Sequence, residues 1–182
     1  MPTHKLQTFE NDIHDNLYQY LLGKGEIDQH LPECPDVEEK WKDIAEAYMP
    51  DGVREFNDYP TVSLGWMMYI GMALARYWDT EWEVYAQVEN LYAYLRDKRD
   101  FDHMDEYIRE EVLHLKGEDY MALEKLVGEC ASRVYNIMRH LDIEPGTKAA
   151  FEAYIAALRQ LYRMGMAVEL HRLGYHMTPY GS

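Results

Sequence analysis

A stripe of residue types that bind metals lies between residues 103 and 114 of the sequence. His103, Glu110 and His114, together with Tyr107, fall within about 60° of one another on a helical wheel. Imidazole and carboxylate groups one helical turn apart form a chelating pair for zinc or iron. If this segment is helical, the stripe is therefore a candidate site for a divalent metal.

Apolar residues of the same segment argue against a resident metal. They occupy the opposite side of the wheel and are Phe101, Met104, Ile108, Val112 and Leu115. The pattern Glu111-x-x-His114 resembles half of the motif of di-iron carboxylate proteins, but the chain contains no second Glu-x-x-His. We therefore expect His103, Glu110 and His114 to face solvent, and we expect no metal or other cofactor. An oligomer contact on this face would still bury the stripe.

Two charged residues occupy helical positions that the surrounding pattern assigns to the core. Glu169 falls at the centre of the apolar face of the last predicted helix, and Arg76 is the only charge in the most apolar helix. A buried charge without a partner is too costly to persist. Each side chain must therefore reach water or find a counter-charge.

The sequence leaves two arrangements of these charges open. In the first, both residues lie near helix ends and extend into solvent along their side chains. In the second, Arg76, Asp79 and Glu169 converge at one end of the bundle. Tyr77 and Tyr162 then lie beside them and complete a polar, aromatic-lined recess of the type that binds small ligands.

Composition and the remaining motifs exclude several classes of function. The chain has no Gly-x-Ser-x-Gly elbow and no glycine-rich phosphate loop, and Cys130 lies in an apolar stripe that predicts a buried thiol. Its net charge of -15 repels phosphate backbones and anionic lipids. Nucleic acid and membrane surfaces are therefore excluded as partners, whereas a basic partner or a cation is favoured.

The most apolar segment, residues 59–75, contains seventeen residues without a charge. As a helix over residues 61–78, it points large side chains in every direction, so it must be covered on all sides. Within it, Gly71-x-x-x-Ala75 leaves a groove where a second backbone can approach closely. We expect this helix to form the centre of the fold.

Helical periodicity and end signals predict the elements around the central helix. The predicted helices cover residues 6–22, 36–49, 61–78, 80–95, 101–115, 118–141 and 147–173. Pro50-Asp51-Gly52 ends the second helix, and Thr80 with Glu83 forms a capping box that opens the fourth. The count is six or seven, depending on whether the chain breaks at residues 96–100.

These patterns predict one all-α domain over residues 1–182, a bundle of six to seven mostly antiparallel helices with a loose tail from about residue 175. The first residues lack the apolar stretch of a signal peptide, which predicts a cytoplasmic protein. The expected function is a non-enzymatic protein-interaction module, or a self-associating one. The alternative is a bundle that binds a small ligand or acts as a divalent-metal-dependent hydrolase.

Overall fold

The computed structural model describes residues 3–175, and all regular structure in this range is helical. Its α-helices are α1 (Thr3–Gly23), α2 (Pro35–Glu39), α3 (Trp41–Asp58), α4 (Pro60–Tyr85), α5 (Leu91–Arg96), α6 (Met104–Tyr107), α7 (Gly117–Arg139) and α8 (Lys148–Arg172). The predicted all-α bundle is confirmed. The predicted tail lies outside the described residues except for Tyr175. None of the described helices is long and apolar enough to cross a membrane.

Helix α4 is the centre of the bundle, as its continuous apolar sequence predicts. Every residue from 67 to 75 is buried, and the helix packs against α8, α7, α3 and the segment that follows α5. Each buried large side chain contributes about 1.5 to 3 kcal/mol, so this helix contributes a large part of the stability of the core.

The closest contact of α4 is with α8, and it depends on glycine. A Cβ atom on Gly71 would overlap the carbonyl oxygen of Tyr162, and a Cβ atom on Gly165 would overlap the carbonyl oxygen of Met68. The two backbones are therefore in direct contact, as the small-residue spacing at Gly71 predicts.

Helices α4 and α8 run parallel. Near the start of both helices Ser63 contacts Tyr154, and near their ends Arg76 contacts Glu169. Helix α3 runs antiparallel to α4. Gly52, in the second half of α3, meets Ser63 near the start of α4, and Lys40, just before α3, donates to the Ala86 carbonyl, just after α4. The expectation of antiparallel packing thus applies to α3 against α4, whereas the central pair is parallel.

The predicted stop at Pro50-Asp51-Gly52 is wrong, because α3 continues through it to Asp58. Proline removes one backbone hydrogen bond from a helix, and tertiary contacts of the next two residues compensate. The Asp51 carboxylate accepts hydrogen bonds from the Tyr92 hydroxyl at 2.6 Å and from Arg96 at 3.2 Å. The Gly52 carbonyl accepts from the buried Ser63 hydroxyl at 2.8 Å.

The predicted helix break at Thr80 lies one residue from a real one. Two helical stretches of α4 meet at a kink at Glu81, where φ is -145° and ψ is 54°, and the second stretch ends at Tyr85 instead of continuing to residue 95. The Thr80 hydroxyl donates backward to the Arg76 carbonyl at 3.1 Å instead of capping a new helix. The next helix begins after Asn90, whose side chain accepts from the backbone of the first turn of α5.

The segment after α5 is less regular than predicted. A 3-10 turn (Phe101–His103), α6 and a π-helical turn (Ile108–Val112) replace the single expected helix. Trp66 of α4 donates to the Phe101 carbonyl at 2.7 Å and holds the start of the segment against the core. A wheel drawn for a regular helix therefore does not describe these residues.

Candidate functional site

A buried carboxylate lies where the last turn of α8 meets α4. Glu169 is 2% exposed. Its Oε2 atom lies 3.7 Å from a terminal nitrogen of Arg76, and its Oε1 atom lies 3.6 Å from Nε of Arg172. Both arginine side chains keep 28% of their surface exposed. Arg76 and Glu169 therefore meet, as in the second of the two arrangements left open by the sequence.

Burial dominates the electrostatics of this carboxyl group. Desolvation raises the pKa of Glu169 to about 7, and Asp79 adds to the rise, while Arg172 and Arg76 offset only part of it. The carboxyl group therefore changes its protonation near neutral pH. Carboxyl groups with such pKa values are common at functional sites, because they can hold or release a proton under working conditions.

Asp79 lies one turn beyond Arg76 on α4 and binds the end of the described chain. Its carboxylate accepts a hydrogen bond from the Tyr175 hydroxyl at 2.6 Å. The Tyr175 ring packs on Trp78 with centroids 5.5 Å apart, and Trp78 in turn donates to Asp36 at 3.0 Å. Tyr175 and Trp78 are thus the aromatic residues beside the cluster, which the sequence analysis did not identify.

The two tyrosines predicted for the recess have partners elsewhere. Tyr77 stacks on Tyr85 with a centroid separation of 3.7 Å, across the kink of α4. Tyr162 is buried and donates to the Val37 carbonyl at 2.6 Å, which joins α8 to α2. A helical wheel gives the direction of a side chain but not its partner, so it could not predict the contacts of Tyr77 with Tyr85 and of Tyr162 with α2.

The predicted metal stripe is exposed at all three of its ligand-type positions. His103 contacts Glu106 at 3.3 Å, and Glu110 accepts from Arg99 at 2.6 Å. His114 follows the π-helical turn with a φ of 56°, so it is outside the regular helix that the wheel assumes. Among residues 3–175, no group of three or more His, Cys, Asp or Glu side chains is arranged to hold a metal ion.

Arg109 is a buried charge that the sequence analysis missed. It is 1% exposed and donates to Glu124 at 2.7 Å and to Asp105 at 2.8 Å. Its guanidinium also lies over the Tyr120 ring, 4.1 Å from the centroid. The π-helical turn rotates Arg109 toward the core, and a regular helical pattern gives no sign of this rotation. These contacts join the irregular segment to α7.

An apolar depression of the surface lies at the other end of α8. It has a volume of about 480 Å³ between the end of α3, the end of α7 and the start of α8. Its apolar walls are formed by Val53, Phe56, Tyr135, Met138, Leu141, Ile143 and Phe151. Phe151 is 45% exposed and Val53 is 38% exposed at its mouth. We refer to this depression as the α3/α7/α8 groove.

Two wider depressions have a larger share of polar surface than this groove. One, of about 570 Å³, is lined by Lys40, Asp43 and Glu89 among others, and one of about 860 Å³ is lined by Asp12 and Arg133 among others. Water competes well for such surfaces, whereas binding pockets are predominantly apolar with a few polar groups. The α3/α7/α8 groove is therefore the better candidate for a binding surface.

Comparison of the chain with protein-family models, with curated proteins and with solved structures gives no match.

Proposed function

We propose that the protein is a non-enzymatic protein-interaction module, and that the α3/α7/α8 groove binds an apolar segment of a protein partner. The observation that carries this proposal is the exposure of Phe151 and Val53 at the mouth of a groove with apolar walls. Apolar pockets that accept a few anchor side chains dominate the energy of many protein interfaces. Covering the exposed parts of these residues gains about 25 cal/mol for each Å² of apolar surface.

Charge limits the chemistry of the partner. Arg139 is the charged residue of the groove lining, so a carboxylate on the bound segment would have a counter-ion there. The net charge of -15 favours a partner whose surface outside the contact is basic, and it disfavours nucleic acid and anionic membranes. The same net charge also opposes self-association, so we keep binding of a second copy of this chain as the second form of the proposal.

The cysteines support a cytoplasmic location for the module. Cys34 and Cys130 are both buried free thiols, and burial is the main cause that raises the pKa of Cys130 to about 12. Thiols of this kind are unreactive and are typical of reducing compartments.

A photo-crosslinking amino acid at position 151, in the full chain expressed in its native cells, tests the groove. Position 121 is the matched control, because Met121 is an apolar residue of α7 that is 69% exposed and lies outside the groove. We expect a discrete adduct from position 151, none of the same mass from position 121, and loss of the adduct with Val53→Glu. An adduct of twice the chain mass would identify self-association as the form of the interaction.

The same adducts from both positions, or adducts that persist with Val53→Glu, would contradict the proposal. Val53 is partly exposed, so we expect Val53→Glu to change the free energy of unfolding by about 1 kcal/mol or less. Urea unfolding checks that the variant remains folded.

The small-ligand alternative is favoured by the cluster around Glu169, whereas no arrangement among the described residues favours a metal-dependent hydrolase.

A further inference from the structure

Four charges at the end of α8 balance one another. Helix α4 contributes Arg76 and Asp79, and helix α8 contributes Glu169 and Arg172. When Glu169 is ionised these charges cancel, and when it is protonated one positive charge remains. The cluster therefore changes its net charge with a single proton at a buried position.

The other polar groups around the cluster are already engaged with one another. His171 of α8 lies 3.3 Å from Asp28, in the connection that follows α1. Asp36 at the start of α2 accepts from the Trp78 indole, and Asp79 accepts from the Tyr175 hydroxyl. Within the cluster, the donors that the Glu169 carboxylate attracts are therefore the guanidinium groups of Arg76 and Arg172.

Both ion pairs of Glu169 are long. Distances of 3.6 and 3.7 Å exceed the 2.7 to 2.9 Å of charge-assisted hydrogen bonds. The two arginine side chains are also partly exposed, so their donors can reach a solute without unfolding of the bundle. Two guanidinium groups around one carboxylate are the arrangement that proteins use to bind carboxylate and phosphate.

We infer that Arg76 and Arg172 form a binding site for a small oxyanion, a carboxylate or a phosphate, and that the Glu169 carboxylate occupies the place of this anion until it is protonated. Asp79 stays paired with Tyr175, and this pair borders the binding site on the α4 side. Binding of the anion is coupled to uptake of one proton by Glu169.

This coupling has a calculable size. When only the protonated form binds, the apparent dissociation constant is the intrinsic constant divided by the protonated fraction. Burial raises the pKa of Glu169 to about 7, so that fraction falls about tenfold between pH 6 and pH 8. Anion affinity is therefore expected to be about tenfold weaker at pH 8.

Calorimetric titration with sodium sulfate and, separately, with sodium acetate tests the inference at constant ionic strength. Sulfate is fully ionised and acetate almost fully ionised at both pH 6 and pH 8, so a tenfold pH dependence reports the protein. We expect binding to weaken about tenfold from pH 6 to pH 8 in the unmodified chain. In Glu169→Gln, binding should be equal at both pH values and as tight as in the unmodified chain at pH 6.

Variants in the Glu169→Gln background identify the donors without leaving a buried charge unpaired. Adding Arg76→Gln or Arg172→Gln should abolish binding, whereas adding Arg163→Gln should not, because Arg163 is an exposed residue of α8 that pairs with Glu38. A response to sulfate alone or acetate alone would identify which anion class the site takes.

Three results would overturn the inference: absence of binding by Glu169→Gln at pH 8, a pH dependence that persists in this variant, or equal losses from Arg163→Gln and Arg172→Gln. The assay uses no protein partner, and the cluster lies at the opposite end of α8 from the α3/α7/α8 groove. The inference and the proposed function can therefore fail independently.

Discussion

Replacement of Glu169 by glutamine should make the protein more stable at pH 8 than the unmodified chain. The side chain of Glu169 is 3% exposed, and burial raises its pKa from the usual 4.5 to about 7. Between these pH values the folded protein therefore binds more protons than the unfolded chain, and its free energy of unfolding falls as the pH rises. Glutamine keeps the shape of the side chain and cannot ionise, so the variant lacks this loss.

The pKa difference sets the magnitude. A difference from 4.5 to about 7 corresponds to about 3 kcal/mol at 1.36 kcal/mol for each pKa unit. The stabilising contribution of the protonated form is fully present below pH 4.5 and is lost as the pH rises through 7. The difference in unfolding free energy between Glu169→Gln and the parent should therefore increase by about 2 to 3 kcal/mol from pH 5 to pH 8.

Urea unfolding of both proteins at pH 5, 6, 7 and 8 measures this difference directly, because the titration of all other groups is common to both chains. Glu83→Gln is the control, since it removes one negative charge from an exposed position of the same helix, α4, that carries Arg76. A difference between Glu169→Gln and the parent that is the same at all four pH values would refute the reasoning. It would mean that Glu169 does not titrate in this range.

The glycine contact and the buried arginine give two further predictions. Gly71→Ala should lower the free energy of unfolding by about 1 to 3 kcal/mol because its Cβ atom overlaps the Tyr162 carbonyl, and Gly71→Leu should lower it more. Gly128→Ala, on open surface of α7, should raise it by up to about 1 kcal/mol through helix propensity. Equal urea midpoints for Gly71→Ala and Gly128→Ala would exclude a close crossing of α4 and α8. Arg109→Met should lower the free energy of unfolding by about 3 to 5 kcal/mol, because it leaves Asp105 without its buried partner. An equal decrease from the substitution of an exposed arginine would show that Arg109 is not enclosed.

The central helix could be predicted from sequence because its signal does not depend on neighbours. Seventeen residues without a charge require burial on every side, whatever covers them. The position of Glu169 could be predicted for the same reason, since α8 is a regular helix in which the 100° rule holds throughout. The cost of an unpaired buried charge required either water or a partner for it, and only the packing of α4 against α8 shows that Arg76 and Arg172 lie beside it.

The errors arise where tertiary contacts override a local signal. Pro50 normally ends a helix, but the hydrogen bonds of Asp51 and Gly52 to other helices keep α3 intact. Arg109 has no local signal at all, because a π-helical turn rotates it inward. Packing across the bundle determines both.

The pairing of α4 with α8, which are separated by three α-helices along the chain, has a consequence for the order of folding. Gly71 contacts the backbone of Tyr162, about ninety positions further along the chain, and every residue between them must be made before that contact can form. Closing so long a loop has a high entropic cost, and contacts between distant residues slow folding. During synthesis, the apolar face of α4 that α8 covers stays exposed until the last helix emerges. The chain is therefore expected to depend on chaperones more than an antiparallel bundle of equal size, in which successive helices cover one another as they appear.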